Sequence, residues 1–323
     1  MGAVLFHCPQ MAALAKKICA VNDRIHLGKI AWKSFEDGMP NIFIGKEEGI
    51  RQKRAAFLAS FDSLEDFFPQ LSVIYALPRL GAKEFKVILP YYPTGSLERG
   101  DTESQVVTAK TLATMLSATP LNRGGPVEIV LYDIHSLGQR HYFDKTILTR
   151  YKTGTKYLKE RLEGLDTSTV TIAFPDMGAW KRFKGMFDGS KKGDRKYPLV
   201  ICDKVRDGDK RIVTVREGDV RGRHVIIVDD MIKSGGTILE CATALRAAGA
   251  SVVSAYATHG SFPRDAWKKF LDAGFENVWI TDSCPKIAAK VAGQPPFTVL
   301  SLDRSIARVI LDDDDEADDQ IDE

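Results

Sequence analysis

Short runs of β-branched and apolar residues recur along this chain, and their alternation with helical spacing constrains the fold more than any other feature. AVLF, NIFIG, FKVILP, VEIVLY, VTIAFP, PLVIC, HVIIVDD, SVVSAYAT, NVWIT and FTVLSL are all short and lack the polar alternation of a strand with one wet face. They therefore read as parallel strands buried on both sides. Helical periodicity lies between them, over 64–80, 104–117, 155–165, 236–248 and 264–273. Strands alternating with helices predict an α/β fold. A length of 323 residues is enough for two cores. The expectation is two doubly wound domains with mostly parallel sheets. "YDIH" and "VDD" close similar strands about a hundred residues apart, which places the boundary near 150, with domains over 1–150 and 151–311.

The formal charge of +2 conceals an asymmetry, because residues 312–323 (DDDDEADDQIDE) hold nine acids and no base. That tail reads as solvated and disordered. Without it, 45 basic residues face 34 acidic ones, a body near +11 that favours anionic ligands. No recognition motif or aromatic-basic strip points to nucleic acid. No apolar run reaches the roughly 18 residues of a membrane span, and no secretion signal opens the chain. The expected setting is cytoplasmic, without membrane or nucleic-acid partners. Cysteines 8, 19, 202, 241 and 284 are scattered and lack metal-site spacing, so reduced thiols are expected.

One stretch carries the chemistry. VIIVDDMIKSGGTI (225–238) places Asp229 and Asp230 at the end of a strand, then Lys233, Ser234, Gly235, Gly236 and Thr237 where a helix begins. Unpaired N–H groups and the positive dipole end at a helix N-terminus bind phosphate, and glycines let the backbone come close. Carboxylates accept from sugar hydroxyls. A ribose bearing a 5-phosphate satisfies both halves, whereas neither a Walker A nor a GxGxxG pattern is present. The alternative is a strand-end acid pair beside an ordinary turn.

This stretch resembles the phosphoribosyl-pyrophosphate loop of type I phosphoribosyltransferases and phosphoribosyl pyrophosphate synthetases. From about residue 4 to 310 the chain resembles ribose-phosphate diphosphokinase, closest to the plant-type class II enzymes, through PYYPTGSLERGD, LNRGGPVEIVLYDIH, AFPDMGAWKRF, DKVRDGDKRIV and AYATHGSFP. The resemblance implies two domains of type I phosphoribosyltransferase-like fold, with ATP on the N-terminal side and ribose 5-phosphate on the C-terminal side. It implies transfer of the diphosphoryl group of MgATP to O1 of ribose 5-phosphate. It further implies little need for phosphate activation and tolerance of other nucleotides. A phosphoribosyltransferase and a non-catalytic subunit associated with a synthetase are the alternatives.

The resemblance also assigns residues. His135 and Asp176 match the family's Mg²⁺-side positions. Hard oxygen donors suit Mg²⁺ better than imidazole, so His135 is alternatively a strand-end histidine bonded within the protein. Asp176 is alternatively a helix N-cap. Lys204 and Arg206, in a basic stretch over 204–223 that reads as a long loop or ribbon suited to a lid, match the pair that grips the transferring phosphates. Phe35 and Asp37 in "SFEDG" match a segment that stacks on and hydrogen-bonds adenine from a neighbouring subunit, which implies a homo-oligomer; Met39 stands where a common pattern has Glu. Arg99 falls near the family's ATP-contacting basic segment.

Overall fold

A computed structural model describes residues 2–45, 49–94, 102–190, 195–207 and 210–313, with backbone alone over 204–207 and 210–213. It divides into two compact units, Met1–Thr153 with Ser301–Glu323, and Gly154–Leu300.

In the first unit the strands follow as β1 (Ala3–His7), β2 (Ile25–Leu27), β3 (Ile30–Ser34), β4 (Pro40–Ile44), β5 (Arg54–Leu58), β6 (Glu84–Leu89), β7 (Val127–Tyr132) and β8 (Ile147–Lys152). Six make a sheet in the order β2-β1-β5-β6-β7-β8, parallel at every pairing. The helices α1 (Ala12–Val21), α2 (Leu64–Arg79) and α3 (Thr108–Ser117) connect them. Each presents a narrow apolar stripe: Leu14, Ala15 and Ile18 are buried on α1, and Val73, Ile74 and Leu77 on α2. Spacings of one and four keep such residues on one helical face.

NIFIG departs from expectation. It is not a parallel strand of the sheet but β4, paired antiparallel with β3 in a separate hairpin. Gly38, at φ +83°, and the bonds Phe35 N–H to Met39 O (2.8 Å) and Gly38 N–H to Phe35 O (3.0 Å) close the tip. A strand with a near turn of this kind pairs with its predecessor instead of crossing over.

The second unit holds β9 (Val170–Phe174), β10 (Leu199–Asp207), β11 (Lys210–Glu217), β12 (His224–Ile232), β13 (Val252–Gly260), β14 (Val278–Thr281) and β15 (Phe297–Leu300). Their order is β11-β10-β9-β12-β13-β14-β15, parallel except at the antiparallel edge strand β11. The stretch expected as a loop or ribbon is thus the β10–β11 hairpin. The helices are α4 (Thr155–Leu162), α5 (Met177–Phe183), α6 (Gly236–Ala247) and α7 (Pro285–Val291). Where an α-helix is expected over 264–273, the chain forms a kinked 3₁₀ segment, Pro263–Phe270, and then a turn, because Arg264 and Asp265 take positive φ just after Pro263. From β9 the chain goes outward to β10 on one side and returns to β12 on the other. The neighbours β9 and β12 therefore form a topological switch point, and open α/β sheets bind ligands at the carboxyl ends of such strands.

The boundary near 150 falls close to the observed division, but a second domain running to 311 does not hold. From Ser301 the chain returns to the first unit as α8 (Asp303–Leu311), which buries Ile306, Val309 and Ile310 and packs on α1 and β5. The Tyr132 and Ser305 hydroxyls share a hydrogen bond of 2.8 Å beneath it. The tail assignment also needs correction at its start, since 314–323 lie outside the described residues but Asp312 and Asp313 are held. Asp312 bonds to the Lys86 ammonium and lies 3.3 Å from Arg150 and 3.6 Å from Arg54; Asp313 pairs with Arg24. Partial burial raises the Asp312 proton affinity, yet Lys86, Arg150 and Arg54 hold its carboxyl below the usual range.

Lys86 is buried at 6% exposure in the middle of this cluster, 3.1 Å from Glu128 and 2.8 Å from the Val309 carbonyl. Removing one partner of a buried pair leaves the other charge uncompensated, at about 3 kcal/mol. Lys86→Ala is accordingly expected to lower unfolding free energy in urea by that amount. Lys17→Ala, at an exposed bond to Ser301, should change it by less than about 0.5 kcal/mol; equal effects would contradict the clamp.

Candidate active site at the switch point of the second unit

Gly235 caps α6 in the left-handed region at φ +79°, and no side chain caps that helix or adds an acid to its first turn. A Cβ at Gly235 would lie 2.5 Å from the Phe270 ring, which is buried among Phe262, Phe275 and Phe297. The turn therefore requires glycine for two reasons, backbone and space. Gly236 differs: a Cβ there would meet only the Ser234 hydroxyl, at 3.8 Å. Lys233 and Ser234 are exposed, while Gly236 and Thr237 are half-buried. The result is a helix N-terminus without a side-chain cap or a first-turn acid, which suits an anion.

The carboxylates stand beside it. Ala173 on β9 pairs with Ile227 on β12. Three residues further on, Asp176 lies just past the end of β9, while Asp230 is still in β12, which stays paired with β13 to Ile232. Asp176 does act as an N-cap: its Oδ1 accepts from Gly178 N–H at 2.9 Å and Ala179 N–H at 3.0 Å. Both bonds fall on Oδ1 and leave Oδ2 for another partner. Asp230 is buried and faces Arg182 at 3.5 Å, and Asp229 Oδ1 accepts from the Asp230 N–H at 2.9 Å. Burial pushes the Asp229 carboxyl well above the usual range, helped by the nearby Asp230 and Asp176.

Arg182 is the functional candidate that sequence reasoning passed over. It sits in the quoted AFPDMGAWKRF, six residues after Asp176, and only the folding of α5 beside β12 turns it towards Asp230.

Lys204 and Arg206 belong to β10. Ile201 on β10 pairs with Phe174 on β9, so the backbone at Lys204 runs about 10 Å past the same strand ends that carry Asp176. The hairpin sets Lys204 opposite Val213 and Arg206 opposite Arg211.

In the first unit, Phe35 is 56% exposed at the β3–β4 tip, and Asp37 Oδ1 accepts from Met39 N–H at 3.0 Å. His135 is exposed three residues after β7, later than the strand end expected for it. Between them Asp133 is fully buried at φ +36°, with the Thr153 hydroxyl donating to it at 3.2 Å. Arg99 lies outside the described residues.

Among the described residues no group of three His, Cys, Asp or Glu could enclose a metal ion unaided. Mg²⁺ seldom requires one, since it keeps waters and uses one or two carboxylates with substrate phosphates. Asp176 Oδ2 and Asp229 fit that pattern, because a nearby dication would favour the charged carboxylate that burial, with Asp230 and Asp176 beside it, disfavours.

Two outcomes are expected here. Gly235→Ala should cost about 3 kcal/mol through left-handed strain and overpacking, whereas Gly236→Ala should fold normally and lose phosphate affinity; equal stability losses would contradict the assignment. The second concerns pH. A carboxyl with a raised folded value costs nothing below its unfolded value of about 4, and it withdraws stability as the pH rises from there towards the folded value. Asp229→Asn should thus melt above the parent at pH 7 in metal-free buffer and at the same temperature near pH 3. An Asn variant no more stable at pH 7 would refute the raised value.

Two family descriptions match the chain: the N-terminal domain of ribose phosphate pyrophosphokinase over residues 3–119, and the phosphoribosyl synthetase-associated domain over 200–310. Spinach ribose-phosphate pyrophosphokinase 3, mitochondrial, is 49% identical over 95% of this chain and 76% of its own length. Rice ribose-phosphate pyrophosphokinase 4 is 49% identical over 94% of each. Among solved structures, the phosphoribosylpyrophosphate synthetase of Mycobacterium smegmatis superposes with a TM-score of 0.76 at 25% identity, over 96% of this chain and 98% of that one.

Proposed function

This chain belongs to the ribose-phosphate pyrophosphokinase family, and on that premise we propose that it transfers the diphosphoryl group of ATP to ribose 5-phosphate with the residues assembled above. The observation that carries the assignment of the sugar site is the uncapped N-terminus of α6 beside Asp229 and Asp230. The 5-phosphate rests on the backbone amides of 234–237, where dipole and N–H groups favour a dianion. Asp229 and Asp230 accept from the ribose hydroxyls, and Arg182 holds Asp230 in place.

With the sugar fixed at both ends, its O1 attacks the β-phosphorus in line. The O1–H bond and the bond from the β-phosphorus to the bridging α-phosphoryl oxygen break, an O1–P bond forms, AMP leaves with the bridging oxygen, and the O1 proton passes to solvent. Positioning and neutralisation of phosphoryl charge supply most of such a rate. Lys204 contributes a point charge and Arg206 a planar fork to the transferring oxygens. His135 would contact the Mg²⁺ that screens the triphosphate, and Asp176 would hold a second Mg²⁺ beside the sugar phosphate. Phe35 and Asp37 suit adenine: the ring is exposed for stacking and one Asp37 oxygen is not used by the turn. Their place at an exposed tip supports donation to a neighbouring copy, hence a homo-oligomer. A cytoplasmic setting is part of the proposal; the relatives include proteins named mitochondrial and chloroplastic, and no described helix is long and apolar enough to cross a membrane.

Purified protein given MgATP and ribose 5-phosphate should release AMP and phosphoribosyl pyrophosphate in equal amounts. Absence of AMP would reject the proposal, and nucleotide formation from a base and phosphoribosyl pyrophosphate would favour a phosphoribosyltransferase. Lys204→Ala should lower kcat about a hundredfold or more with little change in KM for ATP; a raised KM at unchanged kcat would place the lysine in ground-state binding.

A further inference from the structure

Cys202 and Cys241 meet in the core of the second unit, with their sulfurs 3.1 Å apart. Cys202 lies on β10, two residues before Lys204, and Cys241 lies on α6, five residues after Gly236. Both are fully buried, in one apolar cluster with Val200, Val220 and Leu245. We propose that these two thiols are a modification site, closing to a reversible disulfide that pins β10 to α6.

Two independent features support this. The sulfurs need approach by only about 1 Å to reach a bonded separation near 2.05 Å. The β10–β11 pairing also breaks register between Ile201 and Cys202, Ile201 facing Glu217 and Cys202 facing Val215. The extra residue, Arg216, lies on β11, and the ladder is interrupted beside Cys202; a local opening of this pairing is the route by which an oxidant would reach Cys202. In the closed state the thiols are protected: the hydrogen bond to Cys202 and burial keep the Cys241 sulfur protonated. The oxidant is a peroxide acting on the opened strand. Cys202 attacks one peroxide oxygen, giving a sulfenic acid and one water; the Cys241 thiol then attacks that sulfur, forming the S–S bond and releasing a second water. Two electrons leave the thiol pair and both protons end in water.

The consequence is mechanical. β10 continues into the hairpin that carries Lys204 and Arg206, while α6 begins at Gly235. A covalent tie between them holds these two elements at a fixed separation and removes the local opening.

The test uses the full chain treated with hydrogen peroxide, without denaturant, then alkylated and mass-mapped. The expected product lacks two hydrogens, carries the Cys202–Cys241 peptide link, regains both thiols with dithiothreitol, and shows slower amide exchange in β10 and β11. Cys241→Ala should lose the link and the slowing; Cys202→Ala serves as the second variant if the first does not fold. A link formed only in denaturant, a link to Cys8, Cys19 or Cys284 instead, or irreversible oxidation of single sulfurs would overturn the proposal. None of these readouts depends on the diphosphoryl-transfer reading.

Discussion

Gly235 occupies a left-handed conformation against a buried aromatic ring, and the rest of the site depends on that contact. Because Phe270 fills the space where a side chain would stand, only glycine fits the left-handed turn, three residues after the end of β12, from which α6 starts. The aromatic cluster of Phe262, Phe270, Phe275 and Phe297 thus does more than fill a core, since it leaves room only for glycine at the turn from which α6 starts.

Charge is arranged differently in the two units. In the first, Arg54, Lys86 and Arg150 meet Glu84, Glu128 and Asp312 in a matched cluster that fastens α8. In the second, Asp176, Asp229 and Asp230 crowd at two strand ends with Arg182 as a cation beside them. The first arrangement is complete in itself. In the second, burial and the neighbouring acids disfavour the charged Asp229 carboxylate, and perturbation of this kind concentrates at functional sites.

Much of the fold was legible because buried parallel strands announce themselves as unbroken apolar runs. HVIIVDD and VTIAFP became β12 and β9 as read, and the glycine pair after Asp230 located the helix start. Long-range choices were not legible. The apolar stripe of α8 fits either sheet, and only packing on α1 decides; the acids at 312 and 313 look solvated until Lys86 and Arg24 are placed opposite them. NIFIG has the composition of a sheet strand, but its neighbouring turn sends it into a hairpin. Arg182 and Asp133 were missed for a related reason: both lie inside quoted stretches, but each acquires meaning only from a carboxylate or hydroxyl brought near by the fold. Gly235 and Gly236 look alike in sequence, yet only the first is demanded by the protein's own packing.

The claim on which all this rests is that a sugar phosphate docks on the amides after Asp230. Titration of isotope-labelled protein with ribose 5-phosphate, in the absence of nucleotide, tests it residue by residue. The backbone amide resonances of Ser234, Gly235, Gly236 and Thr237 should move first and furthest, with inorganic phosphate shifting the same set more weakly. Shifts that leave these four unmoved and gather on another surface would contradict the account.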